Sequence, residues 1–80
     1  MMTPAMIISS RPLSLAVGHS VRLSDTHWVS CTSFKRYEAN YVNLAGGLIA
    51  KPTTTLKACY VLADACNAEI IELRKLCDAS

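Results

Sequence analysis

The sequence predicts an α+β fold: a small, mostly antiparallel sheet of three to five strands over about residues 5–50, packed against one long C-terminal helix over about 54–77. Two changes in pattern predict it. Ahead of Pro52, apolar residues alternate with polar ones and turn residues recur at short intervals. Beyond Pro52, apolar residues recur every three or four positions, and no glycine or proline interrupts them. Composition sets the scale. Eighty residues, 51% apolar and 18% charged, make a single domain, residues 1–80, with a modest core. A chain of this length buries only roughly 60% of the surface its unfolded form exposes.

Leu13, Leu15 and Val17 alternate with Ser14 and Ala16, Gly18-His19 supplies a turn, and Val21 and Leu23 alternate with Ser20, Arg22 and Ser24. A first hairpin is expected there, with Asp25-Thr26 as the next turn. Residues 27–34, HWVSCTSF, are rich in β-branched and aromatic types and predict a third strand. Trp28, Ser30, Thr32 and Phe34 fall on one face of it, Val29, Cys31 and Ser33 on the other. The shared parity of Trp28 and Phe34 makes that pair a candidate for burial against the helix. YEANYVNL continues as a strand, and Ala45-Gly46-Gly47 turns it into the short run LIA. Pro52 should stop that run, and the threonines 53 to 55 offer a hydroxyl to cap the helix. Leu56, Cys59, Ala63, Cys66, Ile70, Leu73 and Cys77 then form one apolar face, and Asp64, Glu69 and Glu72 fall on the solvated side.

Three of the four cysteines lie in this helix, within LKACYVLADACNAEIIELRKLC. At about 100° per residue, Cys59, Cys66 and Cys77 all sit near the centre of the apolar stripe. Along the axis, however, Cys59 and Cys66 are about 10 Å apart, beyond the roughly 7 Å between Cα atoms that a disulfide spans. The intervals C-x6-C and C-x10-C do not bring thiolates to one zinc ion, which asks for a spacing of about two to four residues. No metal and no cofactor is therefore expected, and the cysteines read as small apolar core residues. Unlinked thiols, a start without a basic and apolar leader, and no stretch of about 20 apolar residues predict a cytoplasmic protein.

Catalytic arrangements are not apparent in the spacing. His27 and Cys31 share a strand face but are roughly 13 Å apart, too far to exchange a proton. His19 falls in an expected turn, the serines lack a G-x-S-x-G context, and Gly46-Gly47 lacks the spaced glycines of a phosphate-binding loop. The sequence therefore predicts a protein that is not an enzyme and has no catalytic residue.

Binding is the remaining class. Four of the five aromatic residues, Trp28, Phe34, Tyr37 and Tyr41, lie between positions 28 and 41, beside the pair Lys35-Arg36. Tyrosine, tryptophan and arginine dominate binding hot spots, so Phe34, Lys35, Arg36, Tyr37 and Tyr41 are the expected partner-binding residues. Residues 1–57 carry six cations against two carboxylates, and residues 58–80 carry two against four, which directs an acidic partner to the front half. A protein or ribonucleoprotein is the expected partner. A small nucleic-acid-binding module that uses residues 34–41 is the alternative, because rings stack on bases and cations meet phosphates. A membrane is not an expected partner, and a homodimer is compatible with the pattern. In size and layout, a sheet followed by one helix with a mixed aromatic and basic stretch, the chain resembles the small phage-encoded inhibitors, anti-CRISPR proteins among them. That resemblance implies a stoichiometric blocker of a host protein or ribonucleoprotein such as a CRISPR effector, with FKRYEANY as its contact.

Overall fold

The computed structural model describes residues 11–79. Four strands, β1 (Ser20–Arg22), β2 (His27–Ser33), β3 (Arg36–Val42) and β4 (Leu48–Thr53), precede one helix, α1 (Leu56–Ala79). The strands lie in the order β1-β2-β3-β4 and every neighbouring pair is antiparallel, so the sheet is a simple meander. The helix packs across one face of it, which gives the α+β arrangement of the sequence reading.

The inner face of the sheet is set by cross-strand pairs. Val29 pairs with Ala39, and Cys31 with Tyr37. Val29 and Ala39 are completely buried beneath Leu56, Cys59 and Ala63 of the helix, with Leu15, Leu23, Tyr37, Tyr60 and Leu62 around them. Cys59 and Ala63, themselves fully buried, are small enough to let the helix approach the strands closely. Cys31, Cys59 and Cys66 are buried thiols outside any disulfide, and Cys31 Sγ donates to the Ser33 carbonyl at 3.4 Å.

The helix start follows from its cap. Thr55 Oγ1 accepts the Ala58 N–H at 3.2 Å, and the Thr55 carbonyl accepts the Cys59 N–H at 3.1 Å. These are the N-cap bonds anticipated from the threonine run.

Four expectations are corrected. Residues 13–17 do not form a strand, because only Leu15 of the three alternating apolar residues reaches the core, while Leu13 and Val17 are exposed. Gly18 takes a φ of 85° in the turn that follows, and its N–H donates to the Cys31 carbonyl at 2.8 Å, which tacks this segment to the end of β2. The first hairpin is instead β1 with β2. Secondly, β4 runs through Pro52 to Thr53 rather than ending before it. It is an edge strand, where a missing N–H can face solvent without cost to the ladder. Thirdly, Trp28 and Phe34 are not packed under the helix, which takes the Val29 side. Trp28 is half-buried on the open side of the sheet beneath the Arg22 guanidinium, 5.4 Å from the ring centre. Phe34 leaves the strand altogether and sits in the β2–β3 turn. Lastly, the apolar stripe is buried only from Leu56 to Cys66, and Leu73 and Cys77 are exposed. A helix of 24 residues is about 36 Å long, whereas a seven-residue strand spans about 23 Å. The helix therefore overhangs the sheet.

Candidate functional site

Strands β2 and β3 meet in a tight turn at Phe34-Lys35, just after a register shift between Cys31 and Ser33. Lys35 adopts a left-handed backbone with φ 57°, a conformation that costs a non-glycine residue about 1–2 kcal/mol. The turn holds Phe34 out into solvent, 79% exposed, with Lys35 Nζ 5.3 Å from its ring centre. Among the described residues the ring adds little to the core, and it is one of several large apolar side chains left exposed.

Beside the turn lies a cavity of about 490 Å³. Phe34, Lys35, Arg36 and Tyr37 line one side, and Pro52 and Thr53 the other. The second wall is brought in by the β3–β4 ladder, which pairs Tyr37 with Thr53 and Glu38 with Pro52. No acidic residue among those described lies within ion-pair distance of Lys35 or Arg36, although Glu38 also lines the cavity. The volume falls in the range of sites that take a small ligand or a few side chains of a larger one.

Four of the five sequence-derived binding residues thus come together around this cavity. Tyr41 does not join them. It lies further along β3, paired with His27 and Ile49, is only 9% exposed, and has Lys51 Nζ 5.9 Å from its ring centre. The sequence reading missed Pro52, Thr53 and Thr54 as lining residues. They were assigned to a strand stop and a helix cap, and their approach to Tyr37 depends on a pairing register that the alternation alone did not give.

On the open side of the sheet, Asn40 is buried and its amide donates to Ser30 Oγ at 2.8 Å and to the Glu38 carbonyl at 3.2 Å. This makes a fixed polar floor next to the Arg22–Trp28 stack, since Trp28 and Asn40 are cross-strand partners.

A second cluster contradicts the expectation that Asp64 is merely solvated. The Arg11 guanidinium donates to both Asp64 oxygens, at 2.7 and 3.1 Å, and His27 Nε2 lies 3.0 Å from Oδ1. On its other side His27 Nδ1 is 2.5 Å from Ser24 Oγ. Ser24 Oγ also accepts the Thr26 N–H at 3.1 Å, and Thr26 Oγ1 donates to Asn67 Oδ1 at 2.7 Å. The Arg11 hydrogen bonds hold the Asp64 carboxyl below its ordinary range against the opposing effect of burial, with His27 adding to the effect. The same pair holds Arg11 protonated more firmly than usual. Arg11 additionally lies 5.4 Å from the Tyr60 ring centre, and Tyr60 OH donates to the Pro12 carbonyl at 2.7 Å. Burial pushes the Tyr60 hydroxyl up, against the attraction of Arg11, and burial likewise pushes the Cys59 thiol up.

Ser24, His27 and Asp64 have the connectivity of a hydrolytic triad, and the same contacts make a structural clamp. Arg11 compensates the Asp64 charge directly, and Ser24 Oγ is anchored by the Thr26 amide within its own loop. The cluster ties three parts of the chain together: the segment at Arg11, the β1–β2 loop and the middle of α1. Among the described residues no group of three or more histidine, cysteine, aspartate or glutamate side chains is placed to hold a metal ion. No helix of the described residues is long and apolar enough to cross a membrane.

No protein-family model matches the chain, and neither a curated protein nor a solved structure is similar enough to match it.

Proposed function

We propose that this chain is a non-enzymatic binding module that presents the β2–β3 tip to a protein or ribonucleoprotein partner. The observation that carries the reading is Phe34, held 79% exposed by a strained left-handed turn at the mouth of a cavity with two cations on its rim. Backbone strain persists where the surrounding structure over-determines it, and such positions cluster at ligand clamps. Phe34 is an anchor of the type that fills a partner's pocket, Lys35 and Arg36 supply orientation around it, and Tyr37, packed against the core, contributes the wall of the cavity behind it. Stoichiometric blocking of a larger protein or ribonucleoprotein, a CRISPR effector among the candidates, suits a chain of this size. A host-cell cytoplasm is the compartment this reading implies.

The experiment is capture from a host lysate on immobilised full-length chain, with identification by mass spectrometry and comparison against Phe34→Ala. A stable partner retained by the wild type and lost by at least tenfold in Phe34→Ala is the expected result, since a central anchor is worth about 2 kcal/mol or more. Recovery of no partner, or equal recovery by both proteins, overturns the reading.

A further inference from the structure

We infer that the tip cavity receives a carboxylate-bearing segment of the partner protein, an acidic side chain flanked by an apolar one; this rests on the tip being the binding surface. Three observations converge on that chemistry. The cavity combines cationic and apolar walls, Lys35 and Arg36 with Phe34, Tyr37 and Pro52. Neither cation is in an ion pair with any described carboxylate, so both remain available to an incoming one. The Arg36 guanidinium suits a carboxylate in particular, because its planar fork can donate two parallel hydrogen bonds to the two oxygens.

Thr32, Thr53 and Thr54 also line the cavity, but the Thr32 and Thr53 hydroxyls donate to the Arg36 and Thr55 carbonyls at 3.4 and 3.0 Å, which leaves Thr54 as the hydroxyl that adds a neutral donor to an anion held there. Glu38 is the single acidic member of the lining and opposes a second negative charge, which limits the site to one carboxylate rather than a run of phosphates. That same count decides against a nucleic-acid strand. Each neutralised phosphate contributes a slope of only about −0.7 in log affinity against log salt for a single strand, so two cations supply little of the binding that such ligands require. An aliphatic neighbour of an acidic residue fills the apolar walls beside the carboxylate; bases can stack on the same rings, and the oligonucleotide probe tests that outcome.

The test uses the folded chain and three probes: the capped peptide Gly-Leu-Glu-Leu-Gly, its glutamine counterpart Gly-Leu-Gln-Leu-Gly, and an octamer of deoxythymidine. Amide chemical shifts are followed by NMR during titration. The acidic peptide is expected to shift amides of residues 32–38 and 52–54 saturably, in the roughly millimolar range suited to so small a ligand. The glutamine peptide and the oligonucleotide are expected to bind at least tenfold more weakly. Arg36→Gln and Lys35→Gly should each weaken the acidic peptide severalfold, and the glycine leaves the left-handed turn unstrained. Equal binding of the two peptides, tighter binding of the oligonucleotide, or shifts scattered over Lys51, Lys57 and Arg74 would sink the inference, as would no saturation by about 10 mM peptide. Lysate capture separates the two levels of the reading. If Phe34→Ala abolishes capture while Arg36→Gln does not, the tip binds and the carboxylate assignment is wrong. If neither variant changes capture, the tip is not the surface.

Discussion

At the scale of single residues, Asp64 shows how much chemistry a helix position can carry beyond its place on a hydrophobic wheel. Its spacing put it on the solvated side, yet it accepts hydrogen bonds from two residues brought in by the tertiary fold. Those contacts span 53 and 37 positions in sequence, so local spacing has no record of them. Asp64→Asn should destabilise the fold by about 1 kcal/mol at neutral pH, a figure discounted for solvent screening because the side chain is 45% exposed. The folded carboxyl titrates below its ordinary value of 3.8, so its stabilising contribution is fully present above that value and is lost as pH falls through the folded pKa. Urea unfolding of wild type and variant at neutral pH and at about pH 2 should therefore show a gap that closes in acid. A gap that is constant or widens would assign the effect to something other than the Asp64 charge. Lys35 makes the complementary point. Its residue type gives no signal of a left-handed backbone, which asparagine or glycine would have advertised.

At the scale of elements, strand type and parity in β2 and β3 were readable because HWVSCTS and RYEANYV are rich in β-branched and aromatic residues. What alternation could not decide was which face the helix would choose. Packing decides it: Val29 and Ala39 present a low surface to Cys59 and Ala63, whereas Trp28 would have held the helix away. The helix itself was legible almost to its ends, since Thr55 caps it and no breaker interrupts it. Its depth of burial was not, because a periodic stripe does not say where the opposing sheet stops. From Ile71 to Asp78 the side chains are exposed, including Ile71, Leu73 and Leu76. Helical turns without tertiary packing are marginal in water. Amide hydrogen exchange should consequently be fast across about residues 71–79 and strongly protected from Cys59 to Asn67. Uniform protection along the whole helix would show that the overhang is covered in solution.

At the scale of the molecule, one sheet and one helix make a flat body of 44 × 36 × 16 Å. With two layers there is a single seam of core, and a few fully buried side chains, Val29, Ala39, Cys59 and Ala63, hold the layers together. Small domains of this kind have little stability in reserve. Ala63→Leu should force the layers apart and cost about 1–3 kcal/mol by overpacking, measured as a lowered urea midpoint. An unchanged midpoint would mean that the seam has room the fold does not reveal. The overall class could be read from the switch in period at Pro52, but the cavity at the tip could not. It exists only where the β2–β3 turn and the end of β4 come alongside, and that neighbourhood is a property of register.

Pro52 has a consequence for how this protein can be recognised. An edge strand ordinarily invites another chain to continue the sheet, and β4 interrupts that invitation with a residue that has no N–H to offer, next to a lysine. At the opposite edge, β1 is only three residues long. Neither rim gives a visiting strand a long backbone template, so main-chain pairing, which is tolerant of sequence, has little foothold. Selectivity then falls to side chains, and a partner must match particular groups rather than merely adopt an extended shape.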